Sequence, residues 1–294
     1  MLGSFEFLGK EYGYYMIMAL IGALTSGAFS YIMAKKQKLN EVKIVILLLF
    51  SVIGVLIGGH LLYGITNADK LWLFGKAESF GDVIYLLSAI FGGQVFYGGL
   101  LGGILAGYIY AKATKLENFT GYADILAAAV PLFHFFGRIG CFLGGCCYGV
   151  ESEFGFTFHN SIIESANGVN RFPVQLFEAG FNLCLFAVIL VLLNKNKLRG
   201  KLFLLYMFIY AIGRFILEFF RGDDYRGHLF GLSTSQIIGA LIFVVIIGYA
   251  IINRIKAGNH KKPTQTGGET AVKEQKKLNA GAFFRSDVFI CLAV

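Results

Sequence analysis

Apolar runs of about twenty residues recur along this chain, and a run of that length suffices to cross the hydrocarbon core of a bilayer as an α-helix. The runs are 12–34, 43–65, 93–113, 122–144, 174–193, 201–220 and 234–252. They predict an all-α fold, a polytopic membrane helix bundle of about seven transmembrane helices over residues 1–256. Composition agrees: 56% of the residues are hydrophobic and 15% charged, against about 25% charged in soluble domains. The stretch 71–91 is interrupted by Lys76, Glu78 and Asp82 and reads as an interfacial segment or a partial span.

Lysine and arginine set the orientation. Lys35, Lys36, Lys38 and Lys43 follow the first run, Lys112 and Lys115 the third, Lys195, Lys197, Arg199 and Lys201 the fifth, and Arg254, Lys256, Lys261 and Lys262 the seventh. The alternate loops hold fewer basic residues and most of the acids. This places the N-terminus outside and the C-terminus inside. The net charge of +8 is supplied by inner loops and tail, so it implies no nucleic-acid partner. No short apolar core with a small-residue cleavage site opens the chain, so the first run is expected to stay in the protein. The polar tail 257–294 is expected to be a disordered cytoplasmic extension.

Within the apolar framework a few polar groups stand out. Arg138 lies at the end of the fourth run, where a cation costs at least ~2.5–3.5 kcal/mol to insert and so calls for a partner or a ligand. His134 is four residues earlier and shares its helix face. Asp124 is roughly 21 Å from Arg138 along a helix, too far for a direct pair, and suits a structural or gating role at the inner surface. Arg214, Glu218 and Arg221 recur at i, i+4 and i+7 at the end of the sixth run and line one face; Glu218 can pair with Arg214. Gln175 and Glu178 follow Pro173 at the start of the fifth run, where a carboxylate is also favoured by the helix dipole. The loop 145–173 contains Phe154–His159, a short strand or lid. Ser233–Gln236 has the style of a helix start before the seventh run.

Glycines cluster at Gly54, Gly58 and Gly59, followed by His60, and again over Gly92–Gly103 with Gln94 and Tyr97. Such density suits close helix packing or backbone exposed to a ligand. Tyr14 and Tyr15 open the first run as interface aromatics. Of the five cysteines, Cys184 and Cys291 read as bystanders. Cys141, Cys146 and Cys147 have three readings: small core residues, a disulfide, or ligands to a metal with His134 or His159. C-x4-C-C is not a recognised zinc spacing, so no metal and no cofactor are expected. Arginines converging from two helices at headgroup depth suit a phosphate, which guanidinium grips in bidentate fashion. That favours a lipid-handling protein over an ion channel.

The run Gly137-Arg138-Ile-Gly-Cys-Phe-Leu-Gly-Gly-Cys-Cys-Tyr-Gly149 resembles the Gly-Arg-x-x-Asn-Phe-x-Asn-x-Glu-x-x-Gly signature of the prolipoprotein diacylglyceryl transferases. Tyr14-Tyr15 is similar to that family's Trp-Tyr, Gly92–Gly103 to its Gly-Gly-x-x-Phe-His-Gly-Gly-Leu, and Arg171–Glu178 to its Arg-His-Pro-x-Gln-Leu-Tyr-Glu. Gly213–Asp224 resembles its Phe-Arg…Glu-Phe-Phe-Arg-x-x-Asp. The resemblance extends to about residue 252. It implies transfer of diacylglycerol from phosphatidylglycerol to the lipobox cysteine of a preprolipoprotein, in a bacterial inner membrane. By position it implies that Arg138 and Arg214 bind the phosphate and stabilise its developing charge, that Tyr15, Glu178, Glu218 and Arg221 support the pocket, and that Gly98 and Gly149 let lipid approach the backbone. The family's histidine is Tyr97 here, and its Asn, Asn and Glu are Cys141, Gly144 and Cys146. Its histidine before proline is Phe172. Tyrosine, with pKa ~10, is a poor base at neutral pH, which makes His134 an alternative base. These departures keep two further readings open: a paralogue acting on another lipid or acceptor, and a non-catalytic phospholipid-binding or transport protein.

Overall fold

The computed structural model describes residues 4–7, 10–159, 161, 163–222, 228–229 and 232–233, together with Gln236, Ile237, Ala240, Val244 and Gly248. Its helices are α1 (Tyr14–Lys36), α2 (Glu41–Thr66), α3 (Phe80–Phe91), α4 (Phe96–Ala113), α5 (Phe119–Gly144), α6 (Val174–Asn194) and α7 (Leu202–Glu218). The chain is mostly helical, and α1, α2, α5 and α6 are long and apolar enough to cross a membrane. At 1.5 Å per residue α4 reaches about 27 Å and α7 about 26 Å. Most of the seventh expected run and the whole of the tail lie outside the described residues. The expected helical character holds; among the described residues there are also three two-stranded antiparallel sheets: β1 (Ser4–Phe7) with β2 (Lys10–Gly13), β3 (Glu151–Thr157) with β4 (Asn170–Arg171), and β5 (His228–Leu229) with β6 (Leu232–Ser233). Of these, only β3 matches a strand expected from the sequence.

The described residues fall into two compact units, one drawn from residues 1–41 and 120–264, the other from 42–119. In the second unit the glycine stripes form the contact between α2 and α4. A Cβ on Gly58 would fall on the carbonyl oxygen of Gly98, and a Cβ on Gly102 on that of Gly54. Only hydrogen side chains let two helix backbones come this close. Gly98 lies directly against α2 in this contact. His60 is not merely solvated: its Nδ1 lies 2.7 Å from the Phe91 carbonyl and 2.9 Å from that of Gly93. Two carbonyls facing one ring nitrogen assign the proton to Nδ1, and Nε2 then accepts from the Gln94 amide at 3.2 Å. The imidazole thus fastens the end of α3 to the start of α4.

The interrupted stretch 71–91 forms a 3₁₀ helix (Ala68–Lys76) and α3. Twelve residues extend about 18 Å, short of the roughly 30 Å core, as an interfacial segment requires. Ser79 and Asp82 close a reciprocal cap on α3: Ser79 Oγ accepts from the Asp82 N–H at 3.2 Å, and Asp82 accepts from the Ser79 N–H at 2.8 Å. Lys76 Nζ sits 4.5 Å from the centre of the Trp72 ring.

In the first unit, Asp124 receives the backbone N–H groups of Gly200 and Leu202, at 2.5 and 2.9 Å. These are amides at the entry to α7 with no intrahelical acceptor, so the carboxylate belongs to α7's start and has a structural role. Gly213 on α7 leaves the space taken by the Phe181 ring of α6, which lets those helices pack face to face. Leucine in place of Gly58 or Gly102 should lower the thermal unfolding midpoint of the detergent-solubilised protein, with an overpacking cost of about 1–3 kcal/mol or more. Gly27→Ala, at a position with nothing within 4 Å, should leave the midpoint unchanged or raise it, since alanine is favoured over glycine in a helix by up to ~1 kcal/mol.

Candidate active site

Three helix faces supply the charged groups. With 3.6 residues per turn, α5 presents His134, Arg138 and Cys141 on one stripe, α6 presents Gln175, Glu178 and Asn182, and α7 presents Arg214 and Glu218. Arg138 Nη2 meets Glu178 Oε1 at 2.9 Å, while Arg214 Nη1 lies 3.9 Å from Glu178 Oε2. Arg214 Nη2 also pairs with Glu218 Oε2 at 2.5 Å. Glu178 is 1% exposed and stands between the two arginines from residues 76 positions apart in the sequence. The expected Arg214–Glu218 pair is present; the carboxylate that joins Arg138 to Arg214 is the feature the helix-dipole reading of Glu178 did not contain.

Arg221 follows α7 and is brought in by backbone. Tyr148, Gly149 and Val150 are knitted to two other segments: Val150 N–H donates to the Phe220 carbonyl at 3.0 Å, Gly222 N–H to that of Tyr148 at 3.1 Å, and Phe172 N–H to that of Val150 at 2.9 Å. A Cβ on Gly149 would collide with the carbonyl oxygen of Phe172. Glycine here admits the close approach of another backbone. The same knot puts the Arg221 guanidinium within electrostatic reach of Glu178 and Cys147. The guanidiniums of Arg138, Arg214 and Arg221 thereby all act on the Glu178 carboxylate.

The loop 145–173 is held by Arg171, whose Nη2 donates to the Ser165 carbonyl at 2.8 Å while its guanidinium lies 4.2 Å over the Tyr148 ring. Tyr148 and Ser165 hydroxyls are 3.0 Å apart. Phe172, where the resembling family has histidine, stacks on Phe177 at 4.8 Å and meets Phe220 at 5.3 Å. It serves this aromatic cluster.

On α1, Tyr15 packs beside Gly140 and within electrostatic reach of Arg138. His134 lies against Tyr210, ring centres 5.5 Å apart, with Arg138, Glu178 and Arg214 as charged neighbours. Tyr97 stands in the first turn of α4, in the other unit. Asn182, one turn beyond Glu178, is fully buried and its amide donates to the Glu178 carbonyl at 2.8 Å. Sequence reasoning passed over it, although an amide four residues after a carboxylate in an otherwise apolar run was the available signal.

Cys141, Cys146 and Cys147 converge because of how α5 ends. Gly145 adopts φ +71°, its N–H donates to the Phe142 carbonyl at 3.3 Å, and the Cys146 N–H returns to that of Cys141 at 3.1 Å. This pair of bonds is the Schellman cap, which folds the chain back over the last turn. Cys147 follows at φ +57°. The three sulfurs end within 4.8 Å of one another. The Gln175 amide donates to the Cys146 carbonyl at 2.9 Å and anchors the turn to α6. Hydrogen bonds from the Cys141 and Cys146 thiols hold the Cys147 thiol below its ordinary range, helped by the Arg138 and Arg221 guanidiniums. Hydrogen bonds shared with Cys141 and Cys147 push the Cys146 thiol up.

Removing one partner of a buried pair leaves an uncompensated charge, at about 3–5 kcal/mol. Glu178→Ala, which strands two guanidiniums, is expected to lose stability on that scale and more than Glu218→Ala, which strands part of one. Chemical or thermal unfolding of the two variants in the same detergent checks the ranking.

The family profile described as prolipoprotein diacylglyceryl transferase matches residues 4–252. A phosphatidylglycerol–prolipoprotein diacylglyceryl transferase of Clostridium tetani is 36% identical over 252 residues, covering 85% of this chain and 95% of the relative. A second such protein, of Clostridium perfringens, is 34% identical over 264 residues, covering 87% and 96%. One of Idiomarina loihiensis is 37% identical over 223 residues, covering 75% and 77%. A match spanning the helices, the arginine network and the cysteine turn alike places the chain in one family: it belongs to the prolipoprotein diacylglyceryl transferases.

Proposed function

We propose that this chain moves the diacylglyceryl group of phosphatidylglycerol to the lipobox cysteine thiol of a preprolipoprotein and releases glycerol phosphate. The observation that carries this reading is the Arg138–Glu178–Arg214 network in a member of this family. In the transfer a thiolate attacks the glyceryl carbon, the C–O bond to phosphate breaks, and negative charge builds on the departing oxygen. Guanidiniums held in place before the reaction stabilise that charge without reorganising. Glu178 and Glu218 orient Arg138 and Arg214, and Arg221 adds a third cation for the phosphate. Tyr15 closes the side of the pocket on α1. Tyr97 stands at the family's histidine position and His134 is the alternative proton acceptor.

The same reading has the chain cross a bacterial inner membrane seven times, N-terminus outside, with residues 257–294 as a cytoplasmic tail. Four helices of membrane-spanning length and character and the alternation of basic loops support it. The acceptor peptide and the phospholipid are the partners, and no nucleic acid takes part.

The test is complementation of a transferase-depleted strain, with thioether formation on a lipobox peptide followed by mass spectrometry. Arg138→Ala and Arg214→Ala should each lower turnover by about 10²–10³-fold, the range for losing one preorganised charge-stabilising donor. Full activity in both variants sinks the assignment. Tyr97→Phe separates the proton acceptor from the clamp: a loss of turnover with lipid still bound assigns the phenol to catalysis. The departures at Cys141 and Cys146 favour a second reading, a paralogue with another lipid or acceptor. Lipid mass spectrometry of cells with and without the protein would then reveal a different product.

A further inference from the structure

The cysteine turn has no part in the mechanism above, yet it is built in detail. It stands where the resembling family carries Asn and Glu, directly beside the phosphate clamp. We propose that Cys141, Cys146 and Cys147 bind one zinc ion whose fourth position receives the acceptor thiol, so that this protein activates its nucleophile by a metal. The inference rests on the transferase reading for the identity of that fourth ligand; the metal site itself does not.

Three observations carry it. The first is geometric. Zinc–sulfur bonds of about 2.3 Å in a tetrahedron place sulfurs about 3.8 Å apart, and these three already lie within 4.8 Å, so small side-chain rotations complete the site. The spacing C-x4-C-C matches no standard zinc motif because those motifs use other turns. Here the Schellman cap at Gly145 does the folding back, and the positive φ of Cys147 adds the third sulfur.

The second is electrostatic. Zinc with three thiolates carries a net negative charge. Arg138 acts on Cys141 and Cys147, and Arg221 acts on Cys147. Cations at such a cluster would repel a site of neutral ligands, whereas they stabilise an anionic thiolate complex. The third is access. Cys141 is buried, while Cys146 and Cys147 are half-buried, and among the described residues no fourth protein ligand joins the three sulfurs. Three protein ligands and an open position are the pattern of a catalytic zinc, and four protein ligands that of a structural one.

The chemistry then closes without a strong base. The acceptor S–H binds zinc and releases its proton to water, because coordination lowers the thiol pKa as it does that of bound water. The zinc-held sulfur forms the C–S bond to the glyceryl carbon as the C–O bond breaks. Its electron pair leaves on the phosphate oxygen beside Arg138, which lies one helical turn from Cys141. A tyrosine at the histidine position no longer needs to take a proton at neutral pH, since tyrosine ionises near pH ~10.

The experiment uses the full chain, purified anaerobically in detergent after expression with zinc, and again with cobalt. We expect one zinc per chain by elemental analysis, three thiols shielded from alkylation until chelator is added, and sulfur-to-cobalt charge-transfer absorption in the cobalt form. Cys141→Ser and Cys147→Ser should lose the metal at least tenfold in affinity, while Cys184→Ser keeps it. Addition of a lipobox peptide should shift the cobalt d–d bands, and a Cys→Ser lipobox peptide should not. Less than 0.1 equivalent of metal (on the order of adventitious content,) in the unsubstituted protein, or a disulfide among the three cysteines, overturns the site. A bound metal with cobalt bands indifferent to the peptide overturns the thiol-activation step. Stoichiometric metal and a peptide-induced shift in a protein that forms no thioether uphold the proposal and count against the transferase reading instead.

Discussion

The carboxylate of Glu178 is the group on which the first unit depends. A guanidinium among apolar helices is tolerated when it is paired, and Glu178 meets two of them at once from the one position on α6 that faces both α5 and α7. Sliding α6 by one residue would turn this side chain by about 100° and break both contacts. The pairings therefore fix the rotation of three helices about their axes, something apolar packing alone specifies loosely. Asn182, donating to the Glu178 carbonyl from the next turn, adds a buried polar contact on the same stripe. The network sets where the two guanidiniums point.

Around that network, chain ends are disposed so that helix termini have partners. Asp124 takes the amides that open α7, the Schellman bonds close α5, and the backbone knot of 148–150 with Phe172 and with 220–222 carries the chain past the ends of α5, α6 and α7. Each device answers the same requirement, that backbone groups left over at a helix end find acceptors or donors. Two of them also position polar side chains: the knot brings Arg221 to the charges on the helices, and the cap brings Cys146 over Cys141.

Much of this was legible in the residues and some was not, for definite reasons. Arg138 and Arg214 stood out because charge in an apolar run is costly, and the Arg214–Glu218 pair follows from helical spacing alone. Glu178 was visible as a residue but not as a bridge, since the helix dipole explains a carboxylate in that turn equally well. The stretch holding Gly98 was open to two readings, ligand approach or backbone approach, because glycine makes room without saying for what; the carbonyl of Gly58 approaches Gly98, and that of Phe172 approaches Gly149. His60 was legible only as polar, as its two carbonyl partners sit across a turn. The cysteine convergence was hidden because it depends on a left-handed Gly145, and two adjacent glycines at 144 and 145 do not tell which one ends the helix.

Electrostatics link the arginines to the cysteine turn. In the proposed reaction a lipid phosphate would lie on the side of Arg214 and a thiolate cluster on the side of Cys147, where Arg138 and Arg221 both act. Arg138 belongs to both sides, paired to Glu178 and one turn from Cys141. In the proposed transfer, as charge passes from attacking sulfur to departing phosphate, the same guanidinium would face both ends and need not move. An asparagine and a glutamate at positions 141 and 146 would make a different environment, one that depends on a separate base. The substitution of sulfur for those groups, on an unchanged arginine framework, is a change in how the nucleophile is prepared and leaves the stabilisation of the leaving group as it was.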